Sequence, residues 1–339
     1  MNVTRGPKRP TIKDVAVAAG ISHATVSRYL NKSSYVSAAS GEAIEAAIRD
    51  VGYVPNRTAR SLVRQHTQAV AFIVREHPDL FFADPNLSRM AVGANATLSA
   101  AGYQMFMLIV DTDDSADRIV DLILGGFVDG AVLVAMQHDD PVALALAAST
   151  TPLVTASTPL GDTPTPSVDT DNVAGSAAVT RRLLGTGRSR VAEIRGPAEV
   201  PVSALRHAGF VEAMGDAYDE RLVATATEWT LAAGSAAMTG LLGRVPDLDG
   251  VVAASDLLAA GAMAVLRAHG RRVPEDVGVV GFDDSPWATQ THPELSTVRQ
   301  DSQATGVRMA EVLLRQLAGE DLAGHHEILP NEVVWRASA

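Results

Sequence analysis

A small all-helical head followed by an α/β body of two doubly wound lobes is the fold that this sequence predicts. Three observations lead there. The first fifty residues carry short amphipathic helical periods broken at Gly20 and Asn31. From Gln68 onward, Val- and Ile-rich runs alternate with helical segments, twice over. Charge divides at the same place: residues 1–66 hold ten Lys and Arg against four Asp and Glu, a net +6, and the remainder carries −17, for a total of −11. A basic head with an acidic body suits a polyanionic partner, the body limiting non-specific phosphate contact.

Composition bounds the function. A chain of 339 residues can form a small domain plus one bilobed domain. With 47% hydrophobic and 20% charged residues it is globular. It has no cysteine, which excludes a disulfide framework and a thiolate metal site. The basic N-terminus lacks the apolar run of a secretory signal, and no later run is long enough for a bilayer. The expectation is a soluble cytoplasmic protein with no membrane partner.

Within the head, Thr11 is an N-cap and Asp14 can bond back toward it. Val15, Ala16 and Ala19 fall at helical spacing, and Gly20 stops this first helix as a C′ residue. Ile21 turns inward and Ser22 caps a second helix from about His23 to Leu30, with Val26 and Leu30 facing in. His23, Ala24, Ser27 and Arg28 face out, and Asn31 ends the helix. Ser37 opens a third helix, with Ile44 and Ile48 inward and Tyr53 closing the core. Two short helices joined by a tight glycine turn, with a third behind them, form the helix-turn-helix arrangement, whose second helix enters the major groove. The DNA-contact candidates here are Thr11, Ser22, His23, Ala24, Thr25, Ser27, Arg28, Asn31 and Tyr35. A helical hairpin with no nucleic-acid role is the bland alternative.

The stretch Val54–Leu62 is helix-prone after Pro55, yet too short to be stable alone. Asn56, Arg60 and Leu62 make sense if it folds against DNA, with arginine near phosphate and leucine wedged into a minor-groove base step. An ordinary polar linker is the alternative.

In the body, strands are expected at 69–74, 104–110, 130–135 and 153–156, with helices at 86–101, 116–124 and 141–148. A second series places helices at 173–184, 202–217, 232–242 and 257–269, and strands at 190–195, 222–227, 251–254 and 277–282. Such alternation indicates parallel sheets covered on both faces, with ligands bound beyond the carboxyl ends of the strands.

The segments TIKDVAVAAGISHATVSRYLN, VGYVPNRTARSL, VPEDVGVVGFDD and LSTVRQD together resemble the lac-repressor and purine-repressor family of bacterial transcription regulators, over essentially the whole chain after Pro10. The resemblance implies a helix-turn-helix headpiece with a periplasmic-binding-protein-like effector domain. Its boundaries would be a disordered basic arm at 1–10, a DNA-binding domain at 11–54, a hinge helix or linker at 55–67 and an effector and dimerisation domain at 68–339. Within the last, the N-lobe would hold 68–169 and 300–325, and the C-lobe 170–299 and 326–339. Residues 296–301 would cross back to the first lobe, and one strand, 327–334, would return to the second. A homodimer on a near-palindromic double-stranded DNA operator is implied as well.

Features that mislead toward an enzyme are weak. Gly185-Thr186-Gly187 begins a dinucleotide fingerprint, but Arg190 replaces the third glycine and a strand follows where a helix should. His325-His326 lacks a third ligand, so no metal is expected. Asp283-Asp284 are adjacent on one backbone and point apart, which suits binding by Asp283 and a structural Asp284 better than paired acid/base work. No cofactor and no catalytic residue are assigned.

The effector candidates are Arg206, Trp229, Ser255, Asp283 and Gln300, facing Phe82, Asp84 and Asn86. Arg206, in SALRHAGF, matches the family's effector-gripping arginine. A guanidinium and a carboxylate can hold vicinal hydroxyls, and an indole offers an apolar face to a sugar ring. Ser255 stands where the family often has Asn, Val202 where it often has a small polar residue, and REHPDLFFADPN is a longer, more acidic loop. The effector is therefore a small molecule, expected to be a sugar. A cytoplasmic sugar-binding or sugar-metabolising protein without a DNA role is the alternative.

Overall fold

The computed structural model describes residues 10–31, 35–53, 66–157 and 164–339. They fall into two compact units divided between Thr67 and Gln68.

The first unit contains α1 (Ile12–Ala19), α2 (His23–Asn31) and α3 (Ala38–Val51). The Thr11 N–H and hydroxyl both donate to Asp14 Oδ2, at 2.7 and 2.8 Å. Gly20 takes φ +65° and lets Ile21 N–H reach back to the Ala16 carbonyl at 3.1 Å, closing α1. Ser22 Oγ then accepts from Thr25 N–H at 3.2 Å and starts α2. Val15, Val26, Ile44 and Ala47 form the buried centre, with Ile12, Leu30, Ile48 and Tyr53 packed around it. The third helix lies against the first two, as the spacing of its apolar residues predicts.

The second unit has two lobes. In the first, β1 (Ala69–Val74), β2 (Gln104–Ile109), β3 (Gly130–Val134), β4 (Leu153–Ala156), β5 (Ser167–Thr170) and β11 (His326–Leu329) make a parallel sheet in the order β11-β5-β4-β3-β1-β2. Its faces carry separate apolar cores. Phe72 and Val74 meet α5 (Pro85–Ala100) and α13 (Ser302–Leu317), whereas Ala71 and Ile73 meet α6 (Asp113–Leu124) and α7 (Pro141–Ala147). Every β1 side chain is buried, as a central strand covered on both faces requires.

In the second lobe, β6 (Val191–Arg195), β7 (Val223–Thr225), β8 (Gly250–Ala253) and β9 (Gly278–Val280) lie parallel in the order β7-β6-β8-β9. Helices α8 (Asn172–Leu184), α9 (Pro201–Met214), α10 (Leu231–Arg244), α11 (Asp256–Ala268) and the short α12 (Pro286–Gln290) cover them. A short antiparallel pair, β10 (Thr297–Arg299) with β12 (Glu332–Val334), joins the edge beyond β9 through a bridge between Val280 and Ser296.

Three chain crossings connect the lobes, at Asp171, at Gln300–Asp301 and at Pro330–Asn331. The last corrects an expectation. The single strand expected over 327–334, with all of 326–339 in the second lobe, is two strands: β11 completes the first sheet and only β12 reaches the second lobe. Pro330 has no N–H to continue a ladder, so the strand breaks there and the chain changes lobe. The loop REHPDLFFADPN also contains a helix, α4 (Pro78–Ala83), capped by His77 Nδ1 accepting from Asp79 N–H at 3.3 Å.

Candidate functional site

On the first unit, α2 presents His23, Ala24 and Arg28 to solvent, with Thr25 and Ser27 half-buried beside them. Arg28 is held along the helix, Nε donating to the Ala24 carbonyl and Nη2 to Thr25 Oγ1, both at 3.3 Å. Thr11 and Ser22 are exposed and also serve as caps. Tyr35, 90% exposed, is free of the small core. The Asn31 side chain, and Asn56, Arg60 and Leu62 entirely, lie outside the described residues, as does the arm before Pro10.

In the second unit, a cleft between the lobes encloses about 1020 Å³ of empty space counted to its open mouth. The carboxyl ends of the strands supply its walls: Glu76 follows β1, Met136 follows β3, Ser157 follows β4, and Asp283 follows β9. Of the residues expected here, the structure brings together Asp84, Asn86, Arg206, Trp229, Ser255, Asp283 and Gln300. Phe82 is not among them. It is 77% exposed on α4, with Phe81 taking the buried position and meeting it edge-on at 5.1 Å. On so short a helix adjacent residues face different ways, and only one could point inward.

Arg206 is the centre of the polar network. It is buried on α9, with Nε donating to Asn172 Oδ1 at 2.9 Å and Nη1 to the Ala254 carbonyl at 2.6 Å and to Asp283 Oδ1 at 3.3 Å. Its guanidinium stacks 3.7 Å from the Phe282 ring centre, and Trp229 lies 5.9 Å away. Asp283 also accepts from Gln300 Nε2 at 2.7 Å. Burial pushes the Asp283 carboxyl up to about 7, opposed by Arg206 and by the amides of Asn86 and Gln300. Burial likewise raises Asp84, Glu76, and Asp169, the last to about 6.

Asp84 caps α5, its Oδ1 accepting from Asn86 N–H at 2.8 Å. Ser255 has a similar duty at α11, accepting from Leu258 N–H at 3.3 Å, so its hydroxyl is shared between cap and cleft. Trp229 both packs and lines. Its indole lies so close to Gly196 that a Cβ there would fall 2.1 Å from the ring, while its other side faces the cleft. Asp284 is turned away from the cleft and gripped by Arg299 and Arg336 at 2.7 and 2.6 Å; although burial works against it, these two arginines leave its carboxyl below the usual range.

Glu76, Asp169, Asn172 and Ser157 escaped the sequence reading. Asp169 and Asn172 sit beside the first crossing, where the DTDN run is the one visible signal; Glu76 closes β1 without any motif. Gly185-Thr186-Gly187 closes α8 ahead of β6, and His326 Nδ1 is bonded to Ser167 Oγ at 2.6 Å. Among the described residues no three His, Cys, Asp or Glu side chains gather as a metal site. No described helix is long and apolar enough to cross a membrane.

A helix-turn-helix unit and a two-lobed unit with a polar cleft, in one chain, define a DNA-binding transcriptional regulator controlled by a small-molecule effector. A family model for bacterial regulatory proteins of the lacI family matches residues 11–56, and one for a periplasmic binding protein-like domain matches residues 180–339. The chain is 39% identical over 336 residues to the HTH-type transcriptional regulator CelR of Thermobifida fusca, covering 98% of each. It is 30% identical over 334 residues to the HTH-type transcriptional repressor CytR of Escherichia coli K12, covering 97% of this chain and 96% of that one. Among solved structures, a CelR–cellobiose complex matches with a TM-score of 0.77 and 38% identity over 98% of this chain and 100% of that chain. A lac repressor dimer bound to operator and the anti-inducer ONPF matches with a TM-score of 0.86 and 25% identity, over 98% and 99%. The chain belongs to the lacI family of bacterial regulatory proteins. This favours a regulator over a sugar-binding or sugar-metabolising protein with no DNA role.

Proposed function

We propose that the protein is a cytoplasmic homodimeric repressor whose effector is a neutral sugar of disaccharide size, cellobiose being the first to try because it is the ligand in the CelR complex. One observation carries the choice. The cleft sets four carboxylates, Glu76, Asp84, Asp169 and Asp283, against the single guanidinium of Arg206. Sugar hydroxyls donate to carboxylates in charge-assisted bonds, and the indole of Trp229 suits the apolar face of a ring. A phosphorylated sugar would meet mostly like charge and is disfavoured. The binding groups are those expected from the sequence other than Phe82 and other than Gln300, whose amide is committed to Asp283 at 2.7 Å, joined by Glu76 and Asp169. No catalysis is assigned, and Asp283 is engaged with Arg206 and Gln300.

In a dimer, two copies of α2 would read half-sites about one helical turn apart, with His23, Ala24, Thr25, Ser27 and Arg28 at base edges and Thr11, Ser22, Asn31, Tyr35, Asn56, Arg60 and Leu62 in support. The test pairs titration calorimetry of cellobiose and glucose 6-phosphate with operator binding by fluorescence anisotropy. Cellobiose should bind and change operator affinity, and glucose 6-phosphate should do neither; the opposite ranking rejects the neutral-sugar reading. Arg28→Ala should lose on the order of 1–3 kcal/mol on the operator and much less on random DNA. Equal losses on both would assign Arg28 to phosphate only.

A further inference from the structure

Two of the three crossings between the lobes are hydrogen-bonded to the charged groups of the cleft. At the first, Asn172, one residue beyond Asp171, accepts from Arg206 Nε at 2.9 Å. At the second, Gln300 Nε2 donates to Asp283 Oδ1 at 2.7 Å, and Ser302 Oγ donates to Asn86 Oδ1 of the first lobe at 2.8 Å. The third crossing is tied to the first. Asn331 Nδ2 donates to the Asp171 carbonyl at 2.6 Å, and Asp171 N–H to the Leu329 carbonyl at 3.1 Å.

The amide of Asn172 has only one workable orientation. Its Nδ2 donates to Asp169 Oδ1 and to the Thr170 carbonyl, each at 3.0 Å, which leaves Oδ1 for Arg206. Flipping it would set oxygen against two acceptors and nitrogen against a guanidinium. Asn172 and Gln300 are 3% and 8% exposed, so breaking either bond leaves a polar group without water to replace the partner.

We propose that Asn172 and Gln300 are positioning residues that transmit cleft occupancy to the crossings, each joining one ligand-facing charge to one strand about which the lobes turn. Hinge motion is absorbed by a few torsions at such crossings. A ligand shifts that motion only as far as it interacts differently with the two lobe arrangements. When sugar hydroxyls draw on Arg206 and Asp283, the bonds to Asn172 and Gln300 change with them, so the crossing torsions depend on what the cleft holds. Asn331 extends the same constraint to the third strand. The proposal rests on the reading that the effector sits in this cleft.

The test uses the full chain, with Asn172→Ala and Gln300→Met, and cellobiose as probe. Calorimetry gives the cellobiose Kd, and anisotropy gives the operator Kd with and without cellobiose. Both variants should bind cellobiose within about tenfold of wild type, while the ratio of the two operator constants, typically about 5–150 in coupled systems, falls to within about twofold of one. A wild-type ratio in both variants overturns the proposal. So does loss of cellobiose binding together with the response, which would make the two residues ligand contacts only. Hydrogen exchange in the sugar-free protein supplies an arm independent of the ligand. Gln300→Met should speed exchange at amides 299–301 and also at 171–173, and unchanged protection at 171–173 overturns the link between crossings. A wild-type protein indifferent to cellobiose, with that exchange pattern present, rejects the sugar reading alone.

Discussion

Arg206 and Asp283 are a buried ion pair kept tolerable by their surroundings. The guanidinium has an amide, a carbonyl and a carboxylate as acceptors and an aromatic ring beneath it. Asp283 holds φ +119°, a backbone region uncommon for residues other than glycine, as segments at ligand sites often do. Its carboxyl is raised by burial to about 7, and that of Asp169 to about 6, so both hold protons in the folded chain that they would release when unfolded. Stability therefore falls as pH rises from about 4 through 7, since the folded state binds more protons across that window. A ligand that donates hydroxyls to ionised carboxylates recovers the loss. The thermal shift produced by a bound sugar should accordingly be larger at pH 8 than at pH 6, and calorimetric melting at both values checks it. Arg206→Ala leaves Asp283 buried without its cation. It should abolish the sugar response and cost about 3–5 kcal/mol in denaturant unfolding at pH 8, with a smaller cost at pH 6, where Asp283 can stay protonated. Equal costs at the two pH values would show that Asp283 is not the group responding.

The helices were largely legible because their apolar periods are long and their ends are marked. Thr11, Ser37 and Thr230 each begin a helix that the pattern of apolar residues already suggested. Strand β5 and helix α4 were not legible. The first is the four-residue run SVDT, one of whose partners, β11, is remote in the chain. The second hides in a stretch that reads as a loop between two prolines. What no periodicity reveals is how closely helices approach. α5 and α13 meet backbone to backbone, so that a Cβ on Gly306 would fall 2.0 Å from the Met90 carbonyl oxygen, and one on Gly93 would fall 2.1 Å from that of Gln303. Neither neighbour is a flexible side-chain end that could swing aside. Gly306→Ala should thus separate the two helices and destabilise the body by about 1–3 kcal/mol or more in urea unfolding, although alanine is the better helix former. A neutral or stabilising result would mean that the two helices can slide apart at little cost.

In the whole body, the lips of the cleft touch as well as its base. His138 N–H, on the first lobe after β3, donates to the Glu199 carbonyl, on the second lobe before α9, at 2.9 Å. This bond bridges the two lobes through backbone atoms alone. Because the sequence has no cysteine, a pair placed there would have no competing thiol. His138→Cys with Glu199→Cys should form a disulfide under mild oxidation, the backbones already being hydrogen-bond neighbours. Once oxidised, the protein should hold one operator affinity whatever sugar is added, and reduction should restore the response. Operator anisotropy before and after reductant is the measurement. An oxidised variant that still responds fully would show that lobe movement is not what reaches the DNA-binding unit.

Local chemistry sufficed for the alternation of strand and helix, the caps of the head, the charge division near residue 66 and the combination of motifs that marks the family, because each is written in residues a few positions apart. Arg206 and Asp283 could be singled out for the same reason, lying in short runs that match the family. The meeting of Arg206 with Asn172 and of Asp283 with Gln300 spans 34 and 17 residues. The exclusion of Phe82 and the entry of Glu76 and Asp169 depend on which way strand ends and one short helix turn. So does the change of lobe at Pro330, which only the pairing of β11 with β5 reveals. Those outcomes follow from packing two sheets against their helices, a balance of contacts between distant segments that no local pattern of residues encodes.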